Sequence, residues 1–172
     1  MTFKEKLIEL KACKDAIEWV GDKSLEEAWA QCHRGDWMLW LYAKLYPENK
    51  RQLTLAKGHC ANTVRHLMKD KRSIKAVDAA LAYGLDQIDE DALRTIATAA
   101  AASAAYAAEA DAAYAAAAAY AAAAAYADAA DASAYASAAY AADAAAYEDA
   151  RPKNQQQTAD ICRQYLNLGE QQ

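Results

Sequence analysis

The chain has 172 residues and a formal net charge of −5, a length that suits one domain with a hydrophobic core. Much of its 55% hydrophobic content is alanine, and with a mean hydropathy of −0.29 we expect no membrane span, no signal peptide and a cytoplasmic location. Residues 1–75 carry 15 Lys and Arg against 10 Asp and Glu, whereas residues 76–172 carry 4 against 14. The basic half is less concentrated than a nucleic-acid-binding domain usually is, so no nucleic-acid partner is expected.

The N-terminal part of the chain is predicted to form short helices. Thr2 and Ser24 each begin a capping box, with a glutamate three residues further on. Gly21 is the predicted residue just past the end of the helix that restarts around Lys14, because glycine adopts the left-handed conformation found there. Gly35 is expected to close the helix that follows Ser24.

Residues 37–46 are predicted to form a buried helix capped by Asp36, because the segment is apolar on nearly every side. The four tryptophans, at positions 19, 29, 37 and 40, stand at helical apolar positions and are expected in the core. Trp40 in particular is expected to be almost inaccessible to solvent.

Further helices are predicted up to the end of the chain. They run from Asn49 or Lys50 to about Lys69, from a cap at Ser73 to Gly84, from a cap at Asp89 into an alanine-rich tract, and over residues 155–168 after a break at residues 151–154. Gly58 is expected to permit close approach of a neighbouring helix.

Residues 97–147 contain 35 alanines and seven tyrosines but no Gly, Pro, Lys or Arg. Alanine has the highest helix propensity, so the tract is predicted to be helical. One straight helix of this length would span ~76 Å, which is too long for a compact chain of this size. We therefore favour two close-packed antiparallel helices with a turn near residues 128–131 and tyrosines 106, 114, 120 and 135 inside, the alternative being one long rod.

The predicted fold class is all-α, because no segment alternates polar and apolar residues as a strand would. A single multi-helix domain is expected over residues 1–172. Its parts are the N-terminal helices with a Trp-rich core (residues 1–88), the alanine- and tyrosine-rich helices (residues 89–150) and a C-terminal helix (residues 151–172).

The sequence contains no motif for catalysis or for a cofactor, and we predict neither. The cysteines at positions 13, 32, 60 and 162 are widely spaced and are expected to be reduced, buried thiols. The pairs Cys32-His33 and His59-Cys60 are poor zinc ligands, since adjacent helical residues point about 100° apart. His59, Thr63 and His66, with Asn62 beside them, form a polar flank that lines a pocket, binds a partner or is a half-covered boundary strip.

The segment from Ser24 to Leu41 resembles the fifth class of immunity proteins from bacterial polymorphic toxin systems. Its most specific part is Cys32-x-Arg34-x-Asp36-Trp37 followed by Leu39-Trp40-Leu41, and residues 53–61 and the alanine tract are similar to later segments of that family. The resemblance implies an all-α protein that binds and neutralises a toxin without catalysis. Similar domains in phage genomes imply a counter-defence role as a second possibility.

Three functional hypotheses follow. The first is a non-enzymatic protein that inhibits a toxin or effector by steric occlusion. The second is a sponge that sequesters a nucleotide-like molecule in a pocket lined by Arg34, His59, His66 and Trp rings, and the third is a module that self-associates through its alanine helices. The candidate partner- or ligand-binding residues are Arg34, Asp36, His59, Asn62, His66, Asp128, Asp131 and Asp143, the three last as an acidic surface for a basic partner.

Overall fold

The computed structural model describes residues 1–106, 117, 130–146 and 150–169. Within these ranges the chain forms nine α-helices, one 3-10 turn and no strand, which confirms the predicted all-α class. The α-helices are α1 (Phe3–Glu9), α2 (Lys14–Val20), α3 (Leu25–Gln31), α4 (Gly35–Leu45), α5 (Lys50–Asn62), α6 (Lys71–Gly84), α7 (Glu90–Tyr106), α8 (Ala130–Ala146) and α9 (Arg151–Tyr165), and the 3-10 turn is Arg65–Leu67. The chain divides into two compact units, Met1–Cys32 and His33–Gln172.

The first unit consists of α1, α2 and α3, each of 7 residues, and the predicted caps at Thr2, Gly21 and Ser24 are confirmed. Thr2 Oγ1 accepts a hydrogen bond from the Glu5 amide at 3.2 Å, and the Glu5 carboxylate accepts one from the Thr2 amide at 2.8 Å. Ser24 and Glu27 form the same reciprocal pair at α3. Gly21 ends α2 with a φ of 55°, which glycine adopts without strain.

In the second unit α5 is flanked by α4, α6 and α9, all antiparallel to it. Tyr42, near the end of α4, donates its hydroxyl to Gln52 near the start of α5 at 2.7 Å. Asn154, in the first turn of α9, donates to Thr63 just after α5 at 2.8 Å. The last residue of α6 lies against the second turn of α5. The N-termini of α4, α6 and α9 therefore share the end of the unit at which α5 terminates.

The described parts of the two alanine-rich helices pack mainly against other helices of the array. Ala97 and Ala100 of α7 and Ala141 and Ala144 of α8 are fully buried in one core cluster with residues of α5 and α6. The main neighbour of α7 is α6, and α8 lies mainly against α4, with α5 and α9 beside it. The predicted antiparallel pairing within the tract would involve residues 107–129, most of which lie outside the described residues, so it stays a prediction.

Part of the prediction for the tract lies outside the described residues. The described part of α8 begins at Ala130, within the segment predicted to start a second helix. Of the seven tyrosine side chains, only Tyr140 is described, and it is 37% exposed.

The predicted start of α4 is wrong by two residues. Gly35 begins α4 instead of closing α3, Arg34 is the N-cap, and Asp36 makes no capping hydrogen bond. Residue 35 must be a glycine where α4 contacts α9, because a Cβ atom there would lie 2.6 Å from the backbone carbonyl carbon of Thr158. Asp36, which was expected to cap the helix, instead turns back to Arg34.

Four other predicted boundaries also differ. α5 ends at Asn62, where the Thr63 hydroxyl bonds the Cys60 carbonyl at 2.7 Å, and a 3-10 turn follows. Asp70 caps α6 through the Arg72 amide at 2.8 Å, whereas Ser73 is fully buried. α9 begins at residue 151 with a proline in its first turn, where the missing N–H costs no hydrogen bond, and it ends at residue 165.

The tryptophans are not the core of the structure, and Cys13 is not buried. All four indole side chains are half-buried, including Trp40, and Cys13 is exposed at the N-cap of α2. The buried side of α4 carries Leu39 and Tyr42, each with 0% exposure. α4 packs mainly against alanine-rich α8, and its indole rings stay partly exposed to solvent. None of the described helices has the length and hydropathy that crossing a membrane requires.

Candidate functional site

A row of cationic and aromatic side chains follows one side of α4. Arg34, Trp37, Trp40 and Lys44 recur at intervals of three and four residues, which places them on one side of the helix. The first three are half-buried and Lys44 is exposed. Met38, Leu39, Tyr42 and Ala43 are buried on the other sides of α4, and Leu41, one turn after Trp37, is buried as well. We call Arg34, Trp37, Trp40 and Lys44 the α4 stripe.

Arg34 is held in one orientation by two neighbours. Its Nε donates to Asp36 Oδ1 at 2.9 Å and its Nη2 donates to Oδ2, while the guanidinium carbon lies 4.6 Å from the centre of the Trp37 ring. Asp36 is 3% exposed, whereas the Arg34 side chain retains 26% of its accessible surface. A planar guanidinium can satisfy a bidentate carboxylate and an aromatic face together, which an ammonium group cannot.

The other end of the stripe repeats the pairing more loosely. The Lys44 ammonium lies 6.0 Å from the centre of the Trp40 ring. At this distance the attraction between cation and ring is modest at an exposed site, about 0.5–1 kcal/mol. Each half of the stripe thus joins one cation to one indole ring, and the Arg34 half is the more tightly fixed.

α9 packs against the start of α4. Gly35 is in direct contact with Thr158, and the Cys162 thiol points to the Gly35 carbonyl with an Sγ–O distance of 3.6 Å. Arg163 approaches the Met38 sulfur at 3.9 Å. Because backbone and buried side chains make these contacts, the stripe is presented on a rigid part of the unit.

The predicted polar flank on α5 does not act as one group. His59 stacks on Tyr165, with ring centres 4.1 Å apart and an interplanar angle of 12°, and burial lowers the pKa of its imidazole. Asn62 and His66 are exposed. Arg34 and His59 are engaged in different contacts, so the described structure gives no shared lining for the predicted nucleotide pocket.

The two Cys-His dipeptides point their members in different directions, as expected. Cys60 is fully buried and its thiol faces the Thr158 carbonyl at 3.9 Å, whereas the neighbouring imidazole lies on Tyr165. Cys32 is buried while His33 is exposed. Across the part of the chain that the structure describes, no three His, Cys, Asp or Glu side chains come close enough to hold a metal ion.

Of the three candidate aspartates in the alanine tract, only Asp143 has a described side chain. Its carboxylate pairs with Arg151 at the start of α9, at 2.5 Å. Asp131 belongs to α8, but its side chain lies outside the described residues, as does Asp128 altogether. The predicted acidic surface for a basic partner therefore stays a prediction.

Lys57 is a charged residue that sequence reasoning missed. Its side chain is 1% exposed in the middle of α5, and burial lowers the pKa of its ammonium group to about 7. The helical pattern contains a signal, since Lys57 lies one turn from Leu53 and from Ala61, both of which are buried. A lysine within an apolar stripe is either buried or extended to the surface, and the pattern does not decide between these.

The stripe itself was only partly predicted. Arg34 and Asp36 were candidate binding residues, Trp37 and Trp40 were assigned to the core, and Lys44 was not singled out. The spacing of cations and indoles at residues 34, 37, 40 and 44 was visible in the sequence, but which side of α4 is buried depends on the other helices. No family model, no curated protein and no solved structure matches the chain.

Proposed function

We propose that this chain is a non-enzymatic binding protein that neutralises a protein toxin or effector by covering part of its surface, with the α4 stripe as the contact. The observation that carries the proposal is the Arg34 guanidinium, fixed on Trp37 by the buried Asp36. Tryptophan and arginine are the residues that most often dominate the binding energy of protein interfaces. A row of two half-buried indoles, a half-buried arginine and an exposed lysine fits that composition.

The stripe is organised before any partner arrives. Binding normally costs about 0.5–1.5 kcal/mol for each flexible side chain that becomes ordered. Arg34 has already lost that freedom, because Asp36 and Trp37 fix both the edge and the face of its guanidinium. The contacts between Gly35 and Thr158 likewise fix the start of the helix. Pre-organisation of this kind favours tight, specific binding over loose adhesion.

The choice of a toxin as the partner rests on the resemblance to immunity proteins. The residues that carry the most specific part of that resemblance include Arg34, Asp36, Trp37 and Trp40. Apart from Asp36, which orients Arg34, these residues belong to the α4 stripe. One short motif thus supplies both the similarity and the proposed contact surface.

Co-expression with the product of a neighbouring gene, chosen because that product alone stops growth of the host cell, tests the proposal. The wild-type chain should restore growth and bind the purified toxin. Trp37→Ala should weaken binding by roughly 30-fold, since truncating a central interface residue costs about 2 kcal/mol or more. Trp29→Ala, which removes another half-buried indole on α3, is the matched control and should change the Kd by less than about threefold.

Two outcomes would overturn the proposal. If Trp37→Ala binds as tightly as the wild type, the stripe is not the contact. If the wild-type chain neither binds the toxin nor restores growth, this toxin is not the partner and the immunity role fails. Circular dichroism of both variants shows whether a loss of binding accompanies a loss of helix.

A further inference from the structure

Four exposed lysines lie at the end of the second unit where α5 terminates. Lys69 lies in the link that follows the 3-10 turn, Lys71 and Lys75 occupy one face of the first two turns of α6, and Lys153 lies in the first turn of α9. The hydrogen bond from Asn154 to Thr63 joins the start of α9 to the end of α5 and so brings these segments together. We call Lys69, Lys71, Lys75 and Lys153 the lysine end.

The arginines around the lysine end are already neutralised. Arg65 makes a bidentate pair with Asp78 at 2.6 and 3.0 Å, and Arg72 binds the Asp70 carboxylate at 2.6 Å. Arg151 is paired with Asp143 in the same way. Within the described ranges, by contrast, no carboxylate forms an ion pair with Lys71, Lys75 or Lys153. Among the described residues, these ammonium groups leave the end with an excess of positive charge.

The helix dipoles add to this charge. α4, α6 and α9 contain 11, 14 and 15 residues, and all three begin at or beside this end. Each helix N-terminus carries the equivalent of about half a positive charge, so three of them reinforce the field of the lysines. The opposite end of α5 is mixed in sign, with Lys50 and Arg51 beside Glu48 and Asp86.

The α4 stripe begins at this basic end, because Arg34 is the N-cap of α4 and Gly35 contacts α9 one turn beyond Asn154. On the basis of the proposed function, we infer that the partner presents an acidic protein surface, which binds the α4 stripe and extends over the lysine end. Charge complementarity of this kind accelerates the encounter of two proteins and selects against basic partners.

The same residues disfavour a nucleic acid as the partner. Arginine is the side chain best suited to bidentate phosphate recognition, and here the guanidiniums of Arg65, Arg72 and Arg151 are engaged with aspartates. The lysines act as point charges, which suit the dispersed carboxylates of an acidic protein. The indoles of the stripe supply the apolar contact that a protein surface can fill.

The test uses poly-L-glutamate as an acidic polypeptide probe and a short DNA duplex as the alternative. Lys71→Glu is compared with Lys50→Glu, since both residues are exposed, both are the first residue of a helix, and they lie at opposite ends of α5. At low salt Lys71→Glu should weaken poly-L-glutamate binding about three- to tenfold, and Lys50→Glu should change it less than about twofold. Added salt should reduce the difference.

Equal effects of the two substitutions would overturn the inference, because net charge alone would then explain binding. Tighter binding of the duplex than of poly-L-glutamate, with the same dependence on Lys71, would replace the acidic protein by a nucleic acid. With the toxin as the ligand, Lys71→Glu should slow association while Trp37→Ala speeds dissociation. If the toxin fails to bind the wild type, the proposed function is wrong. The poly-L-glutamate comparison would still show whether the lysine end binds an acidic polypeptide.

Discussion

Asp36 determines how Arg34 is presented, and the pair offers a direct measurement. Asp36→Asn preserves the size of the side chain but removes the charge that accepts both guanidinium hydrogen bonds. We expect the free energy of unfolding to fall by about 1–3 kcal/mol, because a buried charge-assisted pair is lost. Urea denaturation of Asp36→Asn, Arg34→Met and the double variant measures the coupling. Additive effects of the two substitutions would contradict a direct interaction.

Because of Lys57, the free energy of unfolding should depend on pH in the alkaline range. Burial lowers the pKa of its ammonium group to about 7, whereas lysine in an unfolded chain titrates near ~10.4. Between these values the unfolded state binds more protons, so the free energy of unfolding should rise with pH, by at most ~1.4 kcal/mol per pH unit. Below pH 7 both states are protonated and the contribution is constant.

Lys57→Met isolates this contribution, because tyrosines and cysteines also titrate in the alkaline range but remain in the variant. The unfolding free energy of the wild type minus that of the variant should increase as the pH rises from about 7 to about 10. Urea titrations at several pH values measure it. A difference that does not change with pH would contradict a lowered pKa in the folded state.

At the scale of helices, three glycines show how closely the elements approach one another. A Cβ atom at Gly35 would lie 2.6 Å from backbone carbon of α9, and one at Gly84 would lie 2.8 Å from the Leu55 Cα. At Gly58 the closest atom would be a Leu81 methyl at 3.0 Å, whereas at Gly169 there is open space. Only at Gly35 and Gly84 would the added Cβ atom collide with backbone atoms, which cannot move aside as a side chain can.

Alanine substitution at these glycines should follow that order. Gly35→Ala and Gly84→Ala should each destabilise the protein by about 1–3 kcal/mol or more through overpacking. Gly58→Ala should be nearly neutral, since the helix-propensity gain of about 0.5–1 kcal/mol offsets a small shift of Leu81. Gly169→Ala is the control and should have no effect. Thermal unfolding ranks the four variants, and a stabilising Gly35→Ala would contradict the contact with α9.

Helix identity was largely predictable, whereas helix ends and faces were less so. The capping boxes at Thr2 and Ser24 and the cap at Asp89, which accepts from the Ala92 amide at 2.8 Å, depend on local sequence and were predicted correctly. Asp36 was assigned as a cap on equally good local grounds. That prediction was wrong because the Asp36 carboxylate binds the Arg34 guanidinium instead. A local sequence pattern does not show which of the two partners the carboxylate takes.

For the whole molecule, the two units should differ in local stability. α1, α2 and α3 contain 7 residues each, and isolated helices of that length are marginal in water. α5 and α6, in contrast, share a core cluster with α7 and α8. Hydrogen exchange should therefore open the first unit at a lower free energy than α5 and α6. Equal protection throughout the chain would contradict this and indicate a single cooperative unit.

The arrangement of helices was beyond the reach of sequence patterns. Composition predicts that residues 97–147 are helical, but alanine is small on every side and gives no preferred face. Which helix lies against α7 or α8 is therefore decided by side chains elsewhere, such as Val77 on α6 and Leu39 on α4. For the same reason the exposure of Trp37 and Trp40 could not be predicted, because it depends on which side of α4 packs against α8.

A core lined by alanine also affects how stability changes with temperature. Each buried alanine removes far less apolar surface from water than a leucine would, and the heat capacity of unfolding comes mainly from apolar surface. For 172 residues of average composition that heat capacity would be about 2 kcal/mol/K. A smaller value is expected here, which makes the stability curve broad and flat. Calorimetry should therefore find little loss of stability on cooling, in contrast to domains that depend on large aliphatic side chains.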